Sequence, residues 1–283
     1  MAVPDPDRGQ SAVLEEKVLK VFILADMEGI SGVCLEEHTT AGTPHYEQAR
    51  RWMTADVNAA VQGALDAGAS EVVVLDGHGA NSLYNLVYEE LHEGAEYIVG
   101  SPRGWYLTGL DSSFHCVLMV GMHAMAGTPR AVLEHTWSTA RWYRCRLNGR
   151  ETGEIGLMAA FAGSFGVPVT LVTGDQAACE EARHFLGDKV ALASVKQGLG
   201  RYSARMLPPR NARAEIRAQA SQAVALADAA APFRVDEPVS IEVDYIRNSH
   251  TDSISTGPGV ELIGPRTIRY TAPTVPEACY LIR

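Results

Sequence analysis

Three apolar runs in this chain each break off into residues able to bind a metal. Val18 to Ala25 (VLKVFILA) leads into Asp26-Met27-Glu28-Gly29, Glu71 to Leu75 (EVVVL) into Asp76-Gly77-His78-Gly79, and Cys116 to Val120 (CVLMV) into Gly121-Met122-His123-Ala124. Carboxylate oxygen and imidazole nitrogen are the mixed donor set of zinc, and manganese or cobalt accepts the same set. A single Asp-x-Glu says little, and a lone loop histidine is more often a satisfied structural residue than a ligand. Three such ends in succession weigh against the structural reading. Asp26 and Glu28, two residues apart, share a side if the strand continues through them, and the adjacent glycines permit turns that bulkier residues block. Asp76 is read as orienting an imidazole or the loop backbone rather than binding metal itself.

Parallel strands are the elements able to bring such residues together. Adjacent strands lie roughly 4.8 Å apart, and in an open parallel sheet the loops converge beyond the carboxyl ends, where ligands sit. The three runs are nearly continuous in β-branched and large apolar residues, as strands covered on both faces require. Val167 to Thr173 and Val190 to Val195 have the same character. Trp52, Met53, Val57, Ala60, Val61, Ala64 and Leu65 fall on one helical face that Gly68 ends, and Asp175 to Leu186 and Asn211 to Ala227 read as further helices. Strands and helices alternate, so the fold class is α/β, with a mainly parallel central sheet flanked by helices. Asn148-Gly149 signals a hairpin, after which Gly153-Glu154 opens an apolar helix. From Pro232 the texture changes: VSIEV at 239–243 and TIRYT at 267–271 alternate, between Gly/Pro-rich connections. The expected organisation is an N-terminal tail over 1–17, expected to be mobile, an α/β metal-binding domain over 18–231, and a small antiparallel β subdomain over 232–283.

Composition sets the class. The 283 residues are 46% hydrophobic, enough for a substantial core, and 24 Lys plus Arg against 34 Asp plus Glu give a net charge of −10. That balance disfavours nucleic acid or an anionic membrane as partner. No run reaches the roughly 18 apolar residues of a membrane span. The five cysteines at 34, 116, 145, 179 and 279 form no Cys-x-x-Cys pair, and the first seventeen residues lack the grammar of a secretory signal. A cytoplasmic protein with free thiols is expected.

Taken together, KVFILADMEGISG, LDGHGANS, VGMHA, EHT and GEIGLMAA resemble, in order and approximate spacing, the zinc D-aminopeptidases of the DppA type. The resemblance runs from about residue 18 to the C-terminus, and Ala193-Ser194-Val195-Lys196-Gln197 adds a sixth block. It implies that Asp26, Glu28, His78, His123 and Glu154 bind two zinc ions, with Asp26, nearest its strand end, expected to bridge. It also implies that His135 takes a direct part in catalysis, and that the chain assembles as a closed homo-oligomer, a decamer of two pentameric rings. Five ligands exceed the needs of one ion, and a shared carboxylate between ions roughly 3.5–4 Å apart accounts for the surplus. Two departures stand out. Leu24 occupies the place where the family usually has serine, and the interval from His123 to His135 is about one residue longer.

Alone, Glu154 would be read as an acid favouring a helix N-terminus, His135 as a packed imidazole, and Lys196 equally as a surface charge or an oxyanion partner. The leading expectation is a metallo-aminopeptidase that removes the N-terminal residue, a D-amino acid by resemblance, from short peptides or aminoacyl amides. The alternatives are a dinuclear phosphoesterase or amidase on the same ligands, and a non-catalytic peptide-binding protein with a structural metal. Structural zinc sites are usually closed four-ligand cages, whereas five ligands on two ions leave positions open.

Overall fold

The structure is a computed structural model and describes residues 18–104 and 106–282. The tail expected over 1–17 lies outside the described residues. In chain order the elements are β1 (Lys20–Ala25), α1 (Glu36–Thr39), α2 (Pro44–Asp66), β2 (Glu71–Asp76), β3 (Glu96–Ile98), β4 (Cys116–Met122), β5 (Trp142–Leu147), β6 (Arg150–Glu151) and α3 (Glu154–Ser164). There follow β7 (Val169–Asp175), α4 (Gln176–Leu186), β8 (Ala191–Gly200), β9 (Ser203–Met206), α5 (Pro209–Leu226), β10 (Val239–Tyr245), β11 (Val260–Gly264), β12 (Thr267–Ala272) and α6 (Val275–Leu281). The first sheet has the order β3-β2-β1-β4-β7-β8-β9 and is parallel except for the β8–β9 pair. The three strands whose ends carry the metal-binding types, β2, β1 and β4, are therefore side by side.

β1 shows why the sheet needs cover on both faces. Phe22 and Leu24 enter a core shared with α3 and the second sheet, while Val21, Ile23 and Ala25 enter another under α2 and α5. All five are buried, so the expected continuous apolar run reflects two cores served by alternate residues. The helices are set by their caps. Thr43 accepts from the Tyr46 amide at 3.0 Å ahead of Pro44, and Asp175 accepts from Ala178 at 2.9 Å to start α4. The close approach of α2 to α5 depends on Gly63, where a Cβ would lie 2.3 Å from the Arg217 carbonyl oxygen.

The second sheet, β11-β12-β10-β5-β6, is antiparallel throughout. It is larger than the C-terminal segment expected to form it, because the β5–β6 hairpin from the middle of the chain adds one side. β5 alternates buried Trp142, Cys145 and Leu147 with more exposed residues, which suits an edge of a core rather than a loop, and it pairs with β10. The same hydrophobic core contains Phe22 and Val117 from the first sheet and Ile241 and Tyr270 from the second. The hairpin delivers the chain directly to Glu154.

Candidate metal centre

Beyond its last strand residue β1 continues across the end of β4. The Asp26 amide donates to Val120 at 2.8 Å and the Gly29 amide to Gly121 at 2.8 Å. The crossing is close enough to require glycine on both sides: a Cβ on Gly29 would lie 2.0 Å from the Met122 carbonyl oxygen, and one on Gly121, at φ +79, would lie 2.2 Å from the Asp26 oxygen. Asp26 and Glu28 are thereby held at the mouth of β4, beside His123. His78 arrives from β2 on the other flank, and Glu154 opens α3 below.

These five side chains converge. His78 Nδ1 lies 3.2 Å from Asp26 Oδ1 and 3.2 Å from Glu28 Oε2. His123 Nε2 lies 3.4 Å from Asp26 Oδ2 and 3.3 Å from Glu154 Oε1. Asp26 thus turns one oxygen toward each imidazole, with Glu28 on one side and Glu154 on the other. His135 joins them: its ring stacks on His123 at 4.0 Å and 13°, and its Nε2 is 3.8 Å from Glu154 Oε1. Two groups of three offer ligand atoms within 4.8 Å of one another, His123 with His135 and Glu154, and Asp26 with Glu28 and His123. His123 belongs to both.

The second nitrogen of each imidazole shows which atom is left for the cluster. His78 Nε2 donates to the Thr39 carbonyl at 3.0 Å, His123 Nδ1 to Ala124 at 3.1 Å, and His135 Nδ1 to Leu133 at 2.9 Å. A carbonyl oxygen can only accept, so each ring keeps its proton on the outer nitrogen and turns the other toward the carboxylates. The carboxylates also draw positive charge into the cluster. Burial works against charge on His78 and His123, yet Glu28 beside the first and Glu154 beside the second outweigh it and raise both well above the ordinary imidazole range. Burial and the neighbouring Glu28 push Asp26 up. Glu28 Oε2 is buried with no hydrogen bond. A dense cluster of three carboxylates and inward-facing imidazoles demands cations, and the donor set fits zinc.

Supporting residues hold the cluster from behind, and here sequence reasoning was least complete. Lys196, weighed as a surface charge or an oxyanion partner, is neither. It is buried, and its Nζ donates to the carbonyls of Glu28 at 2.6 Å, Ile30 at 2.9 Å and Val33 at 2.6 Å. It clamps the loop after β1 from the β8 side. Burial draws its pKa down to about 8, still above neutrality. Asp76 behaves as expected for an orienting residue, accepting from the Asn85 side chain at 2.7 Å and the Leu86 amide at 3.1 Å, while Asn85 also donates to the His78 carbonyl at 2.8 Å.

Asp175 and Glu181 were missed. Asp175 accepts from the Val132 amide at 2.7 Å and so anchors the loop that carries His135; Glu181 accepts from the Met125 amide at 2.7 Å, two residues past His123. Asp175 had a readable signal, an acid closing a fourth apolar strand. Glu181, within a helix rich in Glu and Arg, had none. The His135 loop is itself unusual in that Arg130, Leu133 and Trp137 adopt φ of 55, 52 and 62, a conformation that costs non-glycine residues energy and recurs at functional sites. Trp137 uses it to donate its amide to Glu154 Oε1 at 2.7 Å.

The cluster opens into a cavity of about 730 Å³, a size suited to a small molecule. Leu24, in the place of the expected serine, lies in its floor with Met122 and Met158, and Leu83, Tyr106 and Trp137 add apolar wall. Thr39, Thr139 and Arg103 supply polar lining.

A protein-family model described as D-aminopeptidase matches residues 19–283. A D-aminopeptidase of Bacillus subtilis (strain 168) is 31% identical over 264 residues, covering 92% of this chain and 94% of the relative. Among solved structures, the Zn-dependent D-aminopeptidase DppA from Bacillus subtilis, described as a self-compartmentalizing protease, superposes with a TM-score of 0.88 at 30% identity, covering 93% of this chain and 95% of that one.

Proposed function

This chain belongs to the D-aminopeptidase family, and we propose that it removes an N-terminal D-amino acid from short peptides at a pair of zinc ions held by Asp26, Glu28, His78, His123 and Glu154. It is a metal-dependent aminopeptidase; the number of ions and the ligand set are our reading. The observation that carries it is Asp26, whose two oxygens face the two imidazoles separately, 3.2 Å from His78 and 3.4 Å from His123, as a bridging carboxylate would. When bound, two such ions polarise a substrate carbonyl and acidify water near neutral pH.

The chain's own residues do the rest. His135 presents an unprotonated Nε2 beside Glu154 while Leu133 retains the Nδ1 proton, so it can take a proton from the attacking water and return it to the leaving amine. The stacked His123 ring and the strained loop fix its plane. Leu83, Tyr106 and Trp137 add apolar wall beside these groups, and water expelled from that wall by a bound substrate would strengthen the polar contacts there. The self-compartmentalizing relative supports a closed homo-oligomer, which we read as a decamer acting in the cytoplasm on peptides short enough to enter. Among the described residues no helix is long and apolar enough to cross a membrane.

The deciding experiment is metal analysis of purified protein together with a panel of D- and L-aminoacyl peptides. Two zinc equivalents and turnover confined to D-aminoacyl substrates support the reading. Saturation at one equivalent overturns the paired site, and preference for L-substrates overturns the stereochemistry.

A further inference from the structure

The turn between β8 and β9 is tied to segments on two sides of the metal centre. The Arg201 carbonyl accepts from the Leu133 amide at 3.0 Å, and Nη1 of its guanidinium donates to both the carbonyl and the carboxylate of Glu134. Leu133 and Glu134 are the two residues before His135. Toward the other side, Arg201 Nη2 lies 3.8 Å from Glu36 Oε1. Arg201 Nε donates to the Tyr202 hydroxyl at 3.2 Å, which donates in turn to the same Glu36 oxygen at 2.7 Å. Glu36 opens α1 and Thr39 ends it.

Each segment so held supplies the carbonyl on which an imidazole rests, Leu133 for His135 Nδ1 and Thr39 for His78 Nε2. The Leu133 carbonyl is the more demanding of the two. Leu133 has a φ of 52, a left-handed conformation that a leucine keeps only where its surroundings over-determine it. Arg201 grips the chain on both sides of the peptide unit in question, at the Leu133 amide before it and at Glu134 after it. The Arg201 and Glu134 side chains are 25% and 20% exposed, and a pair so withdrawn from water is screened much less than a surface one. If the peptide unit turned, the Leu133 oxygen would leave His135 Nδ1. The ring proton could then move to Nε2, and a nitrogen that carries a proton cannot accept one.

We propose that Arg201 is a positioning residue for His135: by fixing the Leu133 carbonyl it holds the ring proton on Nδ1 and leaves Nε2 free to take a proton during catalysis. The proposal rests on the reading of His135 as general base and adds to it the residue that sets its tautomer. Arg201 does not line the cavity, so its effect on the reaction runs through the loop. Charge-assisted hydrogen bonds to both the backbone and the side chain of one residue fix that residue's orientation as well as its place.

The test compares wild type, Arg201→Met and Arg201→Lys, all zinc-loaded and checked for fold by circular dichroism. The backbone bond to Leu133 survives any substitution at 201, so the variants remove the guanidinium alone. Steady-state kinetics on D-alanylglycine are measured beside nitrogen NMR of isotope-labelled histidine, which reports the His135 tautomer. Arg201→Met is expected to lower kcat about 10- to 100-fold, the scale of a small misplacement of a catalytic group, with KM and zinc content unchanged. His135 should pass from the Nδ1-protonated form to a mixture of tautomers. Arg201→Lys, which keeps one charged donor, should recover part of both. Wild-type kcat and tautomer in folded Arg201→Met overturn the proposal, and so does zinc loss or a raised KM in place of the fall in kcat. Should Arg201→Met not fold, the same comparison is read on Arg201→Lys, where wild-type kcat and tautomer overturn it equally. The tautomer is read without turnover: if wild type cleaves no D-aminoacyl peptide, that faults the D-aminopeptidase reading, while the spectra still decide the role of Arg201.

Discussion

Each residue of the cluster makes a different prediction, because each is held differently. Asp26 faces both imidazoles, so Asp26→Ala should lose both ions, while Glu28→Ala, removing a carboxylate from one side, should retain part of the metal. Zinc analysis on the two proteins checks this, and equal retention would refute the bridge. His135→Ala should keep its zinc and lose about 10²–10⁴-fold in kcat, the usual worth of a general acid or base. His135 also belongs to a group of three potential metal ligands with His123 and Glu154, so the opposite result has a clear meaning. Zinc loss with rescue of rate by added zinc would make His135 a ligand.

Lys196 belongs at the same scale. Replacing it by methionine strands three buried carbonyls, each costing about 1–3 kcal/mol, so Lys196→Met should melt at least roughly 6 °C lower. It should also bind zinc more weakly, because Glu28 lies in the loop it clamps. An unaltered zinc affinity in a folded Lys196→Met protein would reduce the clamp to a purely structural one.

At the scale of elements, much of the architecture was legible in the sequence. The ends of β1, β2 and β4 were recognisable because a strand buried on both faces must be apolar throughout, so the first polar residue marks its exit. Neighbouring strands then put Asp26, His78 and His123 together. Glu154 and His135 were legible only through family blocks, since an acid at a helix start and a histidine in a loop have ordinary explanations. The β5–β6 hairpin could be read from Asn148-Gly149, but its membership of the C-terminal sheet could not, because pairing across about a hundred residues leaves no local pattern. Lys196 was misjudged because no spacing reveals that a lysine on β8 points beneath the loop after β1. The glycine crossing gives this scale its test. Gly29→Ala would drive a methyl into the Met122 carbonyl and should abolish zinc binding or solubility, whereas Gly79→Ala, with nothing within 4 Å of the added carbon, should retain zinc. Normal zinc in folded Gly29→Ala would show that the crossing can relax.

The molecule as a whole leaves large apolar residues in the open. Tyr88, Tyr143, Leu199, Leu262 and Tyr280 are each more than half exposed, and the assembly proposed above would have apolar side chains to bury between subunits. Sedimentation at micromolar concentration should therefore show a large closed assembly, and a stable monomer would refute it. Metal and fold should be coupled too: zinc at a hundred times its dissociation constant adds about 2.7 kcal/mol, so chelation should lower the melting temperature and restoring zinc should recover it.

The placement of β1 also bears on how the chain reaches this state. The strand is made early, yet its two pairing partners, β2 and β4, begin at Glu71 and Cys116, and one of its cores is closed by α5, which ends at Leu226. Its contacts are distant in sequence, the kind that form slowly because long loops must close first. During synthesis Asp26 and Glu28 emerge from the ribosome about two hundred residues ahead of the helix that seals the core beneath them. The order of events is then set by topology: a nascent chain has its candidate ligands long before it has the core that holds them in place.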